Sequence, residues 1–414
     1  MTDGFCHLGS LIADGIAAAG CVQTALGVLA ARRFPVTVSD APEAGSLPAI
    51  TMFKPLRGTD ALTERALETC FRQDYPSFQI VFGVQDPADP VVPVVRRLCA
   101  LYPGVDATLV VDSSPHGANR KIANLINMVP LAKYDMLVVS DGDMHVPPEY
   151  LRRVAAALAR PGVGLATTLY TGLPANDGVT AQLGAAYINQ IFSSGALMSR
   201  FLGRQDCLGA TMALTRETLR RIGGFAALAD FVADDGVLGR RVRDLGLAVA
   251  LAPTIPATTV AETSLVALFR HELRWARTIR AMAPAGFLAS SIQFPVFWSL
   301  LALLLSYASA WSGILLALSL LLRAGCGRAI ENALGAAPTR WYLAPARDLL
   351  SVAIMATAFA GRQVAWRDQV LSTVPDRDLV RGDAKWAAAG PRAPGWRIAD
   401  EPAGGWAAEA KPWV

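Results

Sequence analysis

The stretch Tyr134-Asp-Met-Leu-Val-Val-Ser-Asp141-Gly-Asp143-Met-His145 places two carboxylates directly after a short apolar run. The run Met136 to Val139 is apolar and partly β-branched, which predicts a buried strand. Side chains alternate along a strand, so acids at positions i and i+2 can point the same way. Ligands bind at the C-terminal edge of a parallel sheet, and two acids there predict a seat for Mg²⁺ or Mn²⁺ beside substrate phosphates.

The same spacing occurs a second time in this chain. Asp376 and Asp378 also stand one residue apart, but they lie in a polar tail with no strand before them. Short motifs recur by chance, so the preceding strand is what favours a metal at Asp141 and Asp143.

Composition limits the class of protein. The chain has 414 residues, of which 53% are hydrophobic and only 17% charged. Soluble domains carry about 25% charged residues, so part of this chain is predicted to lie in a membrane. A net charge of +4 is well short of what a nucleic-acid-binding protein shows. The six cysteines form no Cys-x-x-Cys pair, which implies neither a zinc site nor a disulfide framework.

Near the N-terminus, residues 15–31 contain no charged side chain. This length is close to the lower limit for a membrane span, and a loosely attached surface helix is the alternative. Arg32 and Arg33 follow directly, so by the positive-inside rule the chain after them is cytoplasmic.

Near the C-terminus, residues 294–322 have no charge in 29 positions, the strongest membrane signal in the chain. The run is long for one span and short for two, and 306–312 is either a turn in a tight hairpin or mid-helix. A third apolar run, 349–361, is short for a span unless 343–346 join it. Basic residues flank it on both sides, so the orientation of these segments stays open.

The middle of the chain alternates strand and helix patterns. Strands are predicted at 48–56, 78–84, 107–111 and 136–139, and helices at 60–73, 90–102, 118–131 and 148–159. This order predicts an α/β fold with a mostly parallel sheet covered by helices on both faces.

Two polar residues near the predicted strand ends have a functional and an ordinary interpretation. Asp86 precedes a proline, which is common turn chemistry, but an acid there can also accept hydrogen bonds from a nucleotide base. Lys121 opens a helix, where it either binds phosphate or lies in a solvated first turn. Neither a dinucleotide-binding glycine fingerprint nor a P-loop occurs in the sequence.

Two further motifs follow. Asp234 and Asp235 precede an arginine-rich helix, where they either cap it or repel each other enough to give one the raised pKa of a general base. The stretch Arg270–Arg280 is a basic helix with Trp275, which predicts a position in the lipid headgroup layer. Arg274 and Trp275 can also reach a pyrophosphate and a sugar ring.

Taken in order, these pieces resemble a family-2 glycosyltransferase with a GT-A fold, of the ceramide glucosyltransferase-like group. Three stretches are most similar to the hopanoid-biosynthesis glycosyltransferases of bacteria: Gln79–Pro90, Gly117–Met128 and His271–Arg280. In one respect the chain departs from the family pattern. The usual Gln- or Arg-x-x-Arg-Trp motif has His271 in its first position here, which leaves the contribution of that position open.

The resemblance implies a role for each motif. Asp235 is the catalytic base, Asp86 holds the uracil of a UDP-sugar, and Asp141 with Asp143 holds Mg²⁺ or Mn²⁺. Besides Asp86, the residues implied to bind the UDP-sugar are Lys54, Lys121, Asp141, Asp234, His271, Arg274 and Trp275.

The implied reaction is inverting transfer of N-acetylglucosamine from UDP-GlcNAc to bacteriohopanetetrol. The alternative is a ceramide glucosyltransferase that uses UDP-glucose. A processive polysaccharide synthase and an inactive membrane scaffold are less favoured, because apolar segments are few and the acids are retained. The partners expected are the UDP-sugar, a lipid acceptor and the membrane, with no nucleic acid, and the oligomeric state is open.

The apolar segments and the resemblance together predict five regions. They are an N-terminal membrane helix (1–33), a GT-A catalytic domain (48–260), interfacial helices with the Arg-Trp motif (261–290), C-terminal membrane helices (291–365) and a flexible tail (366–414). The expected location is the bacterial cytoplasmic membrane, with the catalytic domain on the cytoplasmic face.

Overall fold

The computed structural model describes residues 2–34 and 47–361, with side chains from residue 5 onward, and the backbone of 363–366 and 369–372. Met1–Pro375 form one compact unit, and a second unit, Asp376–Val414, lies outside the described residues. The predicted tail at 366–414 therefore falls almost wholly outside the described chain, as does the second Asp-x-Asp pair.

The strands divide among three sheets. They are β1 (Ile50–Pro55), β2 (Phe78–Val84), β3 (Asp106–Val111), β4 (Met136–Ser140), β5 (Met144–His145), β6 (Val163–Thr168), β7 (Thr171–Pro174), β8 (Thr211–Thr215), β9 (Ala248–Ala252), β10 (Ala257–Val260), β11 (Gln363–Trp366) and β12 (Gln369–Ser372).

Helices precede, connect and follow these strands. They are α1 (Thr2–Arg33), α2 (Thr63–Phe71), α3 (Val91–Leu101), α4 (Arg120–Met128), α5 (Tyr150–Leu158), α6 (Val179–Ala186), α7 (Ser193–Phe201), α8 (Arg216–Arg221), α9 (Asp234–Asp244), α10 (Leu265–Met282), α11 (Pro284–Ala289), α12 (Pro295–Leu305), α13 (Ala310–Leu334) and α14 (Ala344–Phe359). A π-helical segment, Tyr187–Phe192, joins α6 to α7.

The central sheet has seven strands in the order β3-β2-β1-β4-β8-β6-β9. Strands β1 to β4 are parallel, β8 runs antiparallel to both β4 and β6, and β9 is parallel to β6. All five residues of β4 are buried, as expected for a strand covered by helices on both faces. The predicted α/β fold with a mostly parallel sheet is confirmed, and β2 has the bounds predicted for it.

A small second sheet, in the order β5-β10-β7, adjoins the end of β4. Strand β5 begins directly after the acid pair and pairs antiparallel with β10, while β10 pairs parallel with β7. The acid pair therefore lies in a turn that links the two sheets.

Two helices of the described chain are long and apolar enough to cross a membrane, within Phe5–Arg33 and Ala310–Leu334. A third candidate is a pair, Pro284–Gln293 and Pro295–Leu305, bent by 76°. The apolar run at 294–322 is broken at 306–309, where Tyr307 and Ala308 have φ values of 52° and 63°. The run is thus a hairpin of α12 and α13 rather than a single helix.

Contacts along α1 give the directions of the bundle helices. On α13, Ser312 donates to Asp14 at 3.1 Å and Ser319 lies 3.4 Å from Cys21, so α1 and α13 run parallel. Because α12 precedes α13 through a tight turn, it runs the opposite way. Arg32 and Arg33 therefore lie at the same end of the bundle as the C-terminal end of α13.

Buried ion pairs attach α14 to the rest of the molecule. Arg347 makes a bidentate pair with Glu272 of α10 at 2.8 and 2.7 Å, and both side chains are buried. Arg323 of α13 pairs with Asp348 at 3.0 Å, again with both side chains buried. Buried charges are tolerated when they are paired and hydrogen-bonded, so these contacts fix the position of α14.

Candidate active site

The acid pair follows β4 at the edge of the central sheet. Strand β4 ends at Ser140, so Asp141 and Asp143 lie in the turn beyond it and not on the strand itself. A Cβ atom on Gly142, between them, would lie 2.9 Å from Leu56 Cδ2 and 3.5 Å from the Pro55 carbonyl oxygen, so the turn packs closely against the end of β1. The two acids therefore owe their positions to a tight turn against the neighbouring strand.

Asp143 is held by the second sheet. Thr258 on β10 donates its hydroxyl to Asp143 Oδ2 at 2.6 Å, and the backbone N–H of Thr259 donates to the Asp143 carbonyl at 3.1 Å. Burial, and then the charge of Asp141, raises the pKa of the Asp143 carboxyl. A cation placed between the two acids would relieve both effects.

Lys121 crosses from the start of α4 to the acids. Its Nζ lies 2.6 Å from Asp141 Oδ1 and 3.8 Å from Asp234 Oδ2, and donates to the Gly209 carbonyl at 3.2 Å. Burial opposes the charged form, but the carboxylates of Asp141 and Asp234 outweigh it and raise the pKa of Lys121. The side chain predicted to bind phosphate thus joins two separate acidic motifs.

Asp234 and Asp235 begin α9 beside this junction. Asp234 is buried, and the side chain of Asn119 donates to its Oδ1 at 3.4 Å. Burial, and then the charge of Asp234, raises the pKa of Asp235 to about 6. A Cβ atom on Gly209 would lie 2.8 Å from Asp235 Oδ2, so the absence of a side chain there leaves room for this carboxylate.

The basic helix α10 ends beside the same carboxylates. A Cβ atom on Gly236 would lie 2.6 Å from Met282 Sδ, so Met282, the last residue of α10, packs against the turn that carries Asp235. Met282 is exposed, and α10 is followed by the bent helix pair that begins with α11 and is the third candidate membrane span. Asp235 therefore lies close to the end of the helix that precedes the candidate membrane span.

Lys54 and Asp86 make different contacts. The buried ammonium of Lys54 donates to Ser140 Oγ at 3.2 Å and to the carbonyl of Asp141. These hydrogen bonds fix the backbone of the turn that carries the acids. Asp86 is exposed after β2 and accepts from the Ala88 N–H at 2.9 Å, an ordinary turn contact that leaves its other oxygen accessible.

The Arg-Trp motif lies on α10. His271 pairs through Nδ1 with Glu262, and its ring centroid is 4.4 Å from that of Trp275. Trp275 also stacks on Tyr187 of the π-helical segment, with ring centroids 6.3 Å apart. Arg274, between His271 and Trp275 in the chain, also has an interaction partner. The motif is therefore a packed aromatic and charged cluster.

Several contacting residues have no signal in the sequence. Glu262 and Thr258 precede α10 in a stretch without a motif, and Glu272 finds its partner 75 residues away. For Glu272, the sequence indicates a buried partner only through the position of this carboxylate inside an otherwise basic helix.

The carboxylate oxygens of the acid pair are suitable donor atoms for a divalent cation. Asp141 and Asp143 each use one carboxylate oxygen, on Lys121 and on Thr258, and each keeps a second oxygen for a hard cation. Across residues 5–34 and 47–361, no three His, Cys, Asp or Glu side chains converge on a metal position. Such an ion would need substrate phosphates or water to complete its shell.

Comparison with known proteins places the chain in a family. Residues 13–378 match the model of glycosyl transferase family 21, and the chain belongs to that family. With two helices long and apolar enough to cross a membrane, it is a membrane-associated member, and its α/β domain has the mostly parallel sheet predicted from the sequence.

Among curated relatives, ceramide glucosyltransferase 1 of Caenorhabditis elegans is 23% identical over 248 residues, which cover 60% of this chain and 53% of that protein. The ceramide glucosyltransferase of Candida albicans is 34% identical over 121 residues, which cover 26% of this chain and 22% of that protein. The chain thus spans about half the length of the first relative and less of the second.

Among solved structures, a mannosyltransferase of Pyrobaculum calidifontis in complex with GDP-Man and Mn²⁺ has a TM-score of 0.48 at 19% identity, covering 87% of this chain and 100% of that one. Glucosyl-3-phosphoglycerate synthase of Mycobacterium tuberculosis, in complex with Mn²⁺, UDP and phosphoglyceric acid, has a TM-score of 0.39 at 16% identity, covering 59% of this chain and 82% of that one.

Proposed function

We propose that the protein is an inverting glycosyltransferase that moves a sugar from a UDP-sugar to the hydroxyl of a membrane lipid. The observation that carries the proposal is the junction at which Lys121 joins Asp141 to Asp234, with Asp235 beside it. In a chain of glycosyl transferase family 21, this junction supplies a cation seat and a carboxylate of raised pKa at one edge of the sheet.

Asp235 is the proposed base. Its carboxylate takes the proton of the acceptor hydroxyl, and that oxygen forms a bond to the anomeric carbon of the sugar. The bond from this carbon to the diphosphate breaks on the opposite face, UDP leaves with the electron pair, and the configuration inverts. A pKa of about 6 keeps Asp235 ionised at neutral pH yet basic enough to accept a proton in the transition state.

Asp141 and Asp143 would hold Mg²⁺ or Mn²⁺ through their remaining oxygens. When bound, the ion would act as a Lewis acid that offsets the charge developing on the leaving diphosphate. Lys54 fixes the turn that carries Asp141, and Lys121 supplies a permanent positive charge next to it.

The remaining residues would hold the donor. Asp86, accessible after β2, accepts hydrogen bonds from the uracil, while Arg274, Trp275 and His271 close over the pyrophosphate and the sugar. Support comes from their grouping on one helix, with Trp275 fixed between His271 and Tyr187.

For the acceptor, the relatives favour a ceramide and glucose over a hopanoid and N-acetylglucosamine, because the curated matches carry the name ceramide glucosyltransferase. Bacteriohopanetetrol is the second candidate, favoured by the stretches Gln79–Pro90, Gly117–Met128 and His271–Arg280. For the location we propose the bacterial cytoplasmic membrane with the catalytic domain on the cytoplasmic side. Arg32 and Arg33 at the end of α1 support this orientation.

The test is a transfer assay with purified protein in mixed micelles. Labelled UDP-glucose and UDP-GlcNAc are each offered with ceramide and with bacteriohopanetetrol, and the products are separated and weighed by mass spectrometry. Labelled glucosylceramide is the expected product. Labelled hopanoid without glucosylceramide would move the assignment to the second candidate, and no product from any combination would contradict the proposal.

The metal role has its own test. We expect EDTA to stop transfer, and Mn²⁺ or Mg²⁺ to restore it in wild type but not in Asp143→Asn, because that variant loses a carboxylate of the proposed seat. Full transfer in excess EDTA would remove the ion from the proposal while leaving the base assignment intact.

A further inference from the structure

Glu262 contacts His271 in a way that no motif indicates. Glu262 lies in the short segment between β10 and α10, and its Oε1 pairs with Nδ1 of His271, in the second turn of that helix. The imidazole also lies against Trp275, with ring centroids 4.4 Å apart. The ring of His271 is therefore held at one nitrogen and on one face.

This contact determines which nitrogen of the imidazole remains available. Burial is the largest influence and opposes ionisation of Glu262, but the hydrogen bond from His271, together with the nearby positive charge, outweighs it and lowers the pKa of the carboxyl. An ionised carboxylate can only accept, so Nδ1 of His271 carries the proton and donates it. Nε2 is left for another partner, in an orientation fixed by the carboxylate.

The pair lies at the edge of the packed cluster, whereas the contact that anchors the helix is buried. Anchoring is already provided by Glu272, the next residue, which is buried in its bidentate pair with Arg347. By contrast, the side chains of Glu262 and His271 are 17% and 34% exposed, so the pair borders open space.

We propose that Glu262 is a positioning residue, which orients the doubly protonated imidazole of His271 so that its Nε2–H donates to the diphosphate of the sugar donor. The inference rests on the proposed function and deepens it, because it assigns the donor-binding role of His271 to a pair of residues. His271 touches the donor, whereas Glu262 acts only through His271.

The experiment is a double-mutant cycle measured on donor binding and on turnover. The neutral amide in Glu262→Gln accepts the Nδ1 proton of His271 less strongly than the carboxylate does. We therefore expect this variant to weaken UDP-sugar binding by about tenfold and to raise the donor KM by a similar factor, while kcat changes less than threefold. His271→Gln keeps a donor group that needs no orienting carboxylate. In the His271→Gln background, Glu262→Gln should therefore change donor binding less than twofold.

The control is Glu217→Gln on α8, which removes an exposed ion pair with Arg220 and should leave donor binding unchanged. Calorimetry with UDP-sugar in detergent reads binding without an acceptor, and the melting temperature of each variant reports a merely structural loss.

The outcomes separate the two levels of the proposal. Suppose that the wild-type protein binds UDP-sugar but the two substitutions weaken donor binding independently, so that their effects multiply in the double variant. That result overturns the role of Glu262 and leaves the proposed function standing. A loss of binding in Glu262→Gln that follows a fall in melting temperature also overturns the positioning role. Wild type that binds no UDP-sugar would overturn the proposed function, and this inference with it.

Discussion

At the residue scale, the environment of each carboxylate decides which one can accept a proton. Asp141 is ion-paired with Lys121 at 2.6 Å, and Asp234 is buried with Lys121 Nζ 3.8 Å from its Oδ2. Asp235 is the partly exposed member of the adjacent pair, and burial together with the charge of Asp234 raises its pKa to about 6. Three acids that look alike in the sequence thus have different chemical capacities in the fold.

The base assignment predicts the effect of Asp235→Asn. The amide cannot take up a proton, so we expect kcat to fall by about 10²- to 10⁴-fold while UDP binding survives. The matched control is Asp244→Asn, an exposed acid at the other end of the same helix, which should retain wild-type turnover. Near-normal turnover in Asp235→Asn, measured with saturating donor, would refute the assignment.

The raised pKa of Asp235 predicts a pH profile. A base must be ionised to act, so kcat/KM should fall as the pH drops below about 6, by about tenfold per pH unit. Lys121 lowers the pKa of Asp235, so Lys121→Met should move this acid limb to higher pH. A flat profile between pH 5 and pH 7, in buffers that keep the micelles unchanged, would speak against Asp235 as the titrating base.

At the element scale, α10 connects the sheet, the membrane helices and the proposed donor site. One turn presents His271 and Trp275, the same turn buries Glu272 against Arg347 of α14, and the helix ends with Met282 beside the Asp235 turn. The π-helical segment packs on it through Tyr187, which lies beside both Trp275 and Arg347. Irregular helical turns of this kind often occur at functional sites.

The link between α10 and α14 predicts a stability effect. Arg347→Met leaves Glu272 buried without its partner, which typically costs about 3–5 kcal/mol, so the melting temperature in detergent should fall clearly. Replacing both residues by methionine should recover part of that loss. The control is Arg220→Met, whose ion pair with Glu217 is exposed and should not measurably affect melting. An unchanged melting temperature in Arg347→Met would mean that the pair does not hold α14.

At the scale of the whole molecule, the helix directions give an orientation that the sequence leaves open. Parallel α1 and α13, with antiparallel α12 between them in the chain, put the turn at 306–309 near the N-terminal end of α1. The opposite ends carry Arg32, Arg33 and Arg328, and by the positive-inside rule we propose that this end faces the cytoplasm.

This orientation predicts a labelling pattern. Ala310→Cys, exposed at the start of α13, should react with a membrane-impermeant maleimide in right-side-out vesicles, whereas Ser113→Cys in the catalytic domain should react only in inside-out vesicles. The background should carry serine at the partly exposed Cys6, Cys99 and Cys326. Equal labelling of both positions from one side would contradict the orientation.

The sequence by itself determined the order of the first four strands and of the helices that follow them, the acid pair after β4 and the apolar segments. These features depend on local periodicity, which chain neighbours set among themselves. It also marked Asp235 and the Arg-Trp helix through adjacent residues.

Only the tertiary structure decided which charges meet. Lys121 reaches Asp141 and Asp234, Glu262 reaches His271, and Glu272 reaches Arg347 across 75 residues. No local pattern encodes such pairs, because a buried charge takes whichever partner the packed elements bring within hydrogen-bond distance. The hairpin at 306–309 was likewise settled by packing against α1, since an uncharged run of residues suits a helix and a turn equally well.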